Sequence, residues 1–312
     1  MAEGRGVAAY IARRIAYQAI VLVGVAFLVH VLILLSADPA RALLPPTTSP
    51  EAVEAFRRAQ GWDQPLPVQF AGFLARAVQG DFGTSIRFGQ PALGVVLERV
   101  PATLGLGVVG LAVALAIAVP LGSLAALRRG TWIDGAVRGF AVLGASVPGF
   151  VLGQVLILVV AVGLRALPVS GGGSIAHLVL PGFVVGVAST PGLIRILRAS
   201  LLEVYGRDYI RTAFAKGLSA RAVLLRHALR NAAIPVVTFL AFDIAGLLSG
   251  VIIVERVFAY PGMGQLAVQA ISGRDLPVIQ AFVFVTALTI VVTNLLLDVV
   301  YTRIDPRIRV AR

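Results

Sequence analysis

Six apolar runs, each long enough to cross a bilayer, limit what this chain can become. A helix needs about 20 mostly apolar residues to span the hydrocarbon core. Residues 15–36, 102–124, 139–162, 178–196, 234–254 and 278–301 all approach or exceed that length. Backbone groups in lipid have no water to bond, so such runs satisfy themselves as helices. The expected fold is therefore an all-α membrane protein with six transmembrane helices. The first run follows Arg13 and Arg14 and could be taken for a secretory leader. It is longer than the about 7–15 apolar residues of a leader core, and Ala37-Asp38-Pro39 is a poor cleavage site, so it reads as a retained helix. Composition agrees. Charged residues make up 13% of the chain, against roughly 25% in soluble domains, and the mean hydropathy is +0.91.

The net charge of +12 invites a nucleic-acid reading, which would need basic residues clustered on a water-facing domain with aromatic partners. Here the aromatics sit mostly inside the apolar runs, and topology explains the charge. Cytoplasmic loops of membrane proteins hold the excess of Lys and Arg. The larger share of the 27 basic residues falls on one side of the spans: Arg13 and Arg14, then Arg128, Arg129 and Arg138, then the dense group from Arg195 to Arg230, then Arg303 to Arg312. The basic residues on the other side are nearly balanced by acids such as Asp38, Glu51, Glu54, Asp81, Glu255 and Asp275. Both termini are thus expected in the cytoplasm, with the bilayer as a partner and nucleic acid excluded.

Three organisational blocks follow: residues 1–36 as cytoplasmic N-terminus and first span, 37–101 as an external helical segment, and 102–312 as a five-helix core. In the external block, Ser49-Pro50-Glu51 has a capping hydroxyl, proline at the first helical position and an acid in the first turn. Gly61 would end that helix. Val68, Phe70, Phe73, Leu74, Ala77 and Val78 then recur at helical spacing up to Gly80. The pattern suits helices lying on the membrane surface and equally a docking cap for an external partner. A shorter external stretch, 255–275, contains YPGMGQLAVQAI, with turn chemistry at Pro261-Gly262.

Between the fourth and fifth spans, 208–231 reads DYIRTAFAKGLSARAVLLRHALRN, a basic break in an apolar chain. Tyr209, Ile210, Ala213 and Phe214 fall on one side of a first short helix. Gly217 can end it, since glycine takes the left-handed backbone without steric cost. Ser219 can cap a second helix with Ala222, Leu225 and Leu229 on its apolar side and Arg226 and Arg230 one turn apart. A hairpin of this kind can rest on anionic lipid or fit a groove on a cytosolic partner.

The hairpin resembles the cytoplasmic coupling loop, the EAA loop, of ATP-binding-cassette importer permeases, and specifically the B-type permease of dipeptide and oligopeptide importers. Three further stretches carry the same resemblance: QGDFGTSI at 79–86, IPVVTFLAFDIAGLLSGVIIVERVFAYPGMG at 234–264 and NLLLDVVYTRIDPRIR at 294–309. Where the wider superfamily has Glu-Ala-Ala ahead of the glycine, this chain has Arg211-Thr212-Ala213, and where that superfamily often has Ile-x-Leu-Pro it has His227-Ala228-Leu229-Arg230. Both departures resemble the peptide-importer branch, and they put in doubt any salt bridge made by the usual glutamate. The resemblance implies a type I importer fold with a coupling loop at 198–233. It implies contact with an ATPase through Asp208, Tyr209, Arg211, Thr212, Ala213, Lys216, Gly217, Leu218, Ser219, Arg226 and Arg230. It also implies a sister permease, two ATP-binding subunits and an external substrate-binding protein, in the bacterial inner membrane.

No ATP site is legible in this chain. A P-loop places lysine after glycine, as G-x-x-x-x-G-K-[ST], and the only lysine, Lys216, precedes Gly217. ATP and Mg are accordingly expected on partner subunits, with no cofactor or metal here and no enzyme activity. There is no cysteine, which excludes disulfides and thiolate ligands. Asp243, Gln154 and Asn294 are the candidates for the translocation path, because polar groups at membrane depth usually face the bundle interior or a wet cavity. His30, Gln154 and Asn294 also suit hydrogen bonds between helices. The Gly182-x-x-x-Gly186 spacing would allow close helix packing. An ion-coupled secondary transporter, with Asp243 as its ion site, is the alternative from another class. The resemblance implies di- or oligopeptides as cargo, with nickel chelates, glutathione or sugars as the alternatives.

Overall fold

The computed structural model describes the backbone of residues 2–36, 38, 40, 41, 44, 45 and 47–304, and side chains over that range except at 2–12, 15, 33, 36, 241–250 and 296–304. Among these residues there is no strand, only an isolated bridge between Thr84 and Pro91. The chain forms two compact units, Met1–Pro101 with Leu266–Thr293, and Ala102–Gln265 with Asn294–Arg312.

The first unit holds α1 (Ala2–Ser36), α2 (Pro50–Ala59), α3 (Leu66–Val78), α4 (Ala92–Leu97) and most of α13 (Leu276–Ile304). Helix α2 begins as its sequence dictates: the Ser49 hydroxyl accepts from the Ala52 amide at 3.3 Å, with Pro50 at the first position. The Glu51 carboxyl is held below its ordinary range, first by its own backbone amide and then by the Ser49 hydroxyl. Helix α3 departs from expectation. It buries Phe73 and Ala77, whereas Val68 and Val78 of the same expected face are exposed.

Aromatic rings, and not a continuous apolar stripe, join α3 to α1. Phe70 meets Phe27 edge-on at 5.0 Å, and Phe73 stacks on His30 at 5.4 Å. His30, expected to hydrogen-bond between helices, instead keeps both ring nitrogens buried without a partner and packs as a flat ring. The 79–86 loop is tied to the start of α13: the Ser85 hydroxyl donates to Asp275 Oδ2 at 2.5 Å, and the Arg87 amide donates to the same oxygen at 3.3 Å. Asp275 Oδ1 also accepts from the Val278 amide at 3.5 Å, capping α13.

The second unit contains α5 (Val100–Leu127), α6 (Trp132–Ser146), α7 (Gly149–Leu156) continuing into a π turn (Ile157–Gly163), α8 (Ala176–Tyr205), α9 (Asp208–Ala215), α10 (Ala220–Val223) and α11 (Leu229–Val257), followed by the first turn of α12 (Met263–Ser272). Glycine lets α5 and α8 touch backbone to backbone. A Cβ on Gly182 would lie 2.4 Å from Val109 Cγ1, and one on Gly186 2.6 Å from the Gly110 carbonyl oxygen. The expected Gly182-x-x-x-Gly186 contact is therefore present. Pro148 ends α6, because the residue before proline leaves the helical region, and α6 and α7 meet at a 93° bend. Pro120, Pro181, Pro191 and Pro235 sit within helices.

Among the described residues four helices are long and apolar enough to cross a membrane, or five if the bent α6–α7 pair counts as one span. Helix α1 contributes a further apolar stretch, Ala16–Leu32, bounded at both ends by residues whose side chains lie outside the described set.

Candidate functional site

The hairpin closes as a helix, a left-handed stop and a capped second helix. Gly217 has φ +79°. Its amide donates to the Phe214 carbonyl at 2.9 Å, and the Leu218 amide donates to the Ala213 carbonyl at 3.3 Å. That pair of bonds is the Schellman stop, which a left-handed glycine permits. Leu218 folds back onto the core, and the Ser219 hydroxyl accepts from the Ala222 amide at 3.3 Å to start α10. Two successive glycine and serine rules thus fix a rigid elbow.

What the hairpin buries differs from a simple helical stripe. Ile210 and Ala213 are buried, while Tyr209 and Phe214, expected beside them, are each 44% exposed. In the second helix the buried residues are Val223, Ala228 and Ala232, and Leu225 is exposed. The cause is a π turn at Leu224–Ala228. Its i→i+5 bonding puts residues five apart on one face, so Val223 and Ala228 align toward the core and Leu225 turns outward, while Leu229 packs half-buried against the core as expected. No signal in periodicity alone reveals such an insertion.

The buried side packs into one core with Leu193, Ile194, Leu197 and Leu201 of α8 and with Val137 and Ala141 of α6. The outer side carries Tyr209, Phe214 and Leu225 among polar residues. Asp208, Arg211, Thr212, Lys216, Gly217, Ser219, Arg226 and Arg230 are all exposed. Asp208 pairs loosely with Arg211 at 3.5 Å, both side chains lying in solvent. An exposed pair of this kind contributes about 0–1 kcal/mol, so it leaves the surface free to be rearranged. The Thr212 hydroxyl donates back to the Asp208 carbonyl at 3.1 Å.

Of the translocation candidates, Gln154 is exposed on α7, Asn294 is half-buried on α13, and the Asp243 side chain lies outside the described residues. Among the described residues no cluster of three or more His, Cys, Asp or Glu could hold a metal ion.

Two polar constellations escaped the sequence reading. In the first, Asp134 at the start of α6 is buried and takes a forked pair of hydrogen bonds from Arg198 of α8, Nε to Oδ1 and Nη2 to Oδ2, both at 2.7 Å. The Gly130 amide donates to Asp134 Oδ2 at 3.1 Å. Thr131-x-x-Asp134 has the spacing of a capping box, but the Thr131 hydroxyl donates to the Arg128 carbonyl instead, and Arg198 lies 64 residues away.

In the second, Glu255 is fully buried at the end of α11. It accepts from the Thr103 hydroxyl at 2.6 Å and from the Gln265 amide at 3.0 Å, and the Met263 amide donates to Thr103 at 2.8 Å. The carboxylate thereby satisfies the open amides at the start of α12, the usual place for an acid. Burial, and then the Glu255 charge, push the nearby Tyr260 phenol above its ordinary range.

The chain matches two family models: "Binding-protein-dependent transport system inner membrane component" over residues 118–310, and "Binding-prot-dependent transport system membrane comp, N-term" over residues 7–107. It is 39% identical over 309 residues to a probable peptide ABC transporter permease protein, y4tP, of Sinorhizobium fredii (strain NBRC 101917 / NGR234), covering 96% of this chain and 99% of the relative. It is 40% identical over 293 residues to the glutathione transport system permease protein GsiC of Escherichia coli (strain K12), covering 92% and 96%. Its fold is similar to a chain of the MetNI methionine ABC transporter solved in inward facing conformations, at TM-score 0.60 and 18% identity, over 69% of this chain and 98% of the other. The helices, the elbow between α8 and α11 and these matches together place the chain in the family of binding-protein-dependent transport system inner membrane components, as an ABC importer permease subunit.

Proposed function

We propose that this permease forms half of a translocation path for small peptides and that its 208–231 hairpin is the seat of a separate ATPase subunit. Six spans cross the membrane on this reading, with both termini and the hairpin in the cytoplasm and residues 37–101 outside. A sister permease supplies the other half of the path, two ATP-binding subunits hold ATP and Mg, and an external binding protein delivers cargo. Asp243, Gln154 and Asn294 are the candidate path residues. ATP binding draws the ATPase subunits together, the hairpin follows, and the spans move from inward-open to outward-open; hydrolysis resets them.

The observation that carries the coupling role is the split hairpin: Ile210 and Ala213 are sunk into the core, while Tyr209 and Phe214 stand 44% exposed beside them. Apolar rings on a rigid, otherwise polar elbow suit a helix-in-groove partner. The peptide reading draws on the name of the y4tP relative. Glutathione, itself a small peptide, is the second reading, favoured by the 40% identity to GsiC.

Gly217→Trp tests the coupling role. No atom lies within 4 Å of a Cβ there, so the bulk projects into solvent and at any docked partner, while a side chain at φ +79° also strains the elbow. In the assembled transporter the variant should hydrolyse ATP while importing roughly tenfold less cargo per ATP, a coupling loss of ordinary size. Normal assembly with wild-type import would show that the hairpin is not the seat.

A further inference from the structure

We infer that Asp134 and Arg198 form a strut that makes the bent α6–α7 pair move with the coupling hairpin. This rests on the hairpin reading above and names how motion leaves the hairpin. Helix α8 runs unbroken from Ala176 to Tyr205, and the hairpin begins at Asp208. Arg198 therefore lies on the last turns of α8 before the elbow. The hairpin's buried residues share one core with that part of α8, so a push on the hairpin is a push on α8.

Apolar packing alone would let α6 slide, because dispersion contacts are individually weak and non-directional. The Asp134–Arg198 contact is directional. A guanidinium fork on a carboxylate fixes distance and angle together, and here both limbs measure 2.7 Å. The acid is buried, its side chain only 2% exposed, and the arginine 21%. A third bond from the Gly130 amide anchors the turn leading into α6, and the exposed Arg138 lies 3.5 Å away on the solvent side. Buried ion pairs are weak evidence for stability but can fix a single register, which is what a transmitting joint requires.

Beyond the strut the chain bends at Ser146–Gly149, where α6 meets α7 at 93°. Gly153 of α7 packs on Phe258, where a Cβ would lie 3.1 Å from the ring. Motion entering through Asp134 is thereby delivered to the bent pair. Both residues are positioning residues; neither is assigned contact with cargo or nucleotide.

The absence of cysteine makes a direct test practical. Spin labels at Arg221→Cys on the hairpin and Leu143→Cys on α6, both exposed, report their separation in the full transporter assembled with cysteine-free partners. With the strut intact, the distance distribution stays narrow and unshifted between nucleotide-free and vanadate-trapped states. Asp134→Asn broadens or shifts it, and exchanging the charges (Asp134→Arg with Arg198→Asp) narrows it again. Arg198→Lys, which keeps the charge and loses the fork, gives intermediate broadening and decides the matter if Asp134→Asn fails to assemble. A distribution equally narrow in Arg198→Lys or Asp134→Asn overturns the strut, as does a wild-type distance that changes on trapping. Failure of the hairpin reading looks different: the Arg221 label then stays mobile when the ATPase subunits are added, whatever the separation shows.

Discussion

At the residue scale, Gly262 and Glu255 explain each other. A Cβ on Gly262 would lie 2.0 Å from Glu255 Oε1, inside the carboxylate's own volume. Gly262→Ala should therefore push the acid off Thr103 and the α12 amides and destabilise the purified permease by about 1–3 kcal/mol, the cost of stranding buried polar groups. Glu255→Ala should cost a similar amount by emptying the same seat. Glu255→Gln, which still accepts hydrogen bonds, should cost less. Thermal unfolding in detergent ranks the three, and equal loss in all would disprove the role of the acceptor. The turn at Pro261-Gly262 was legible from residue type alone. The acid's role was not, because its hydroxyl partner Thr103 lies 152 residues away and nothing local announces that meeting.

At the element scale, caps and stops were readable, and faces only in part: Phe73, Ala77, Ile210 and Ala213 are buried as expected, and their expected neighbours Val78 and Phe214 are not. Ser49, Ser219 and Gly217 act through atoms within three or four residues, so their chemistry is written locally. The faces of α3 and α10 depend on neighbours: rings from α1 select Phe73 on one, and a π turn rotates the other. That turn makes an unusual deletion harmless. Removing Leu225 brings Val223 and Ala228 to four-residue spacing, which an ordinary α turn puts on one face. The shortened chain should insert and assemble, with a melting temperature within a few degrees of the parent, whereas removing Asn231 from the regular helix beyond should turn Val236 away from the core. Co-purification with the ATPase subunits and thermal unfolding separate the two. Loss of assembly on removing Leu225 would show that the extra residue itself is required.

At the scale of the whole molecule, long apolar runs announced the helices, since length and hydropathy are properties of a segment by itself. The bend at Pro148 split one run into two pieces, and a run that bends in space still reads as continuous in sequence. Direction across the membrane follows from charge, and single cysteines in the cysteine-free chain can check it. A membrane-impermeant maleimide added outside should label Gln60→Cys in intact cells, and Arg221→Cys only after permeabilisation. The opposite pattern would invert the topology.

The bare rings of Tyr209 and Phe214 carry a cost for the cell. On the proposed ATPase seat, the newly made subunit shows water two partly exposed rings until that partner docks, the kind of surface that chaperones and membrane proteases recognise. That seat predicts a lifetime tied to the supply of the companion: excess copies made without it should be cleared.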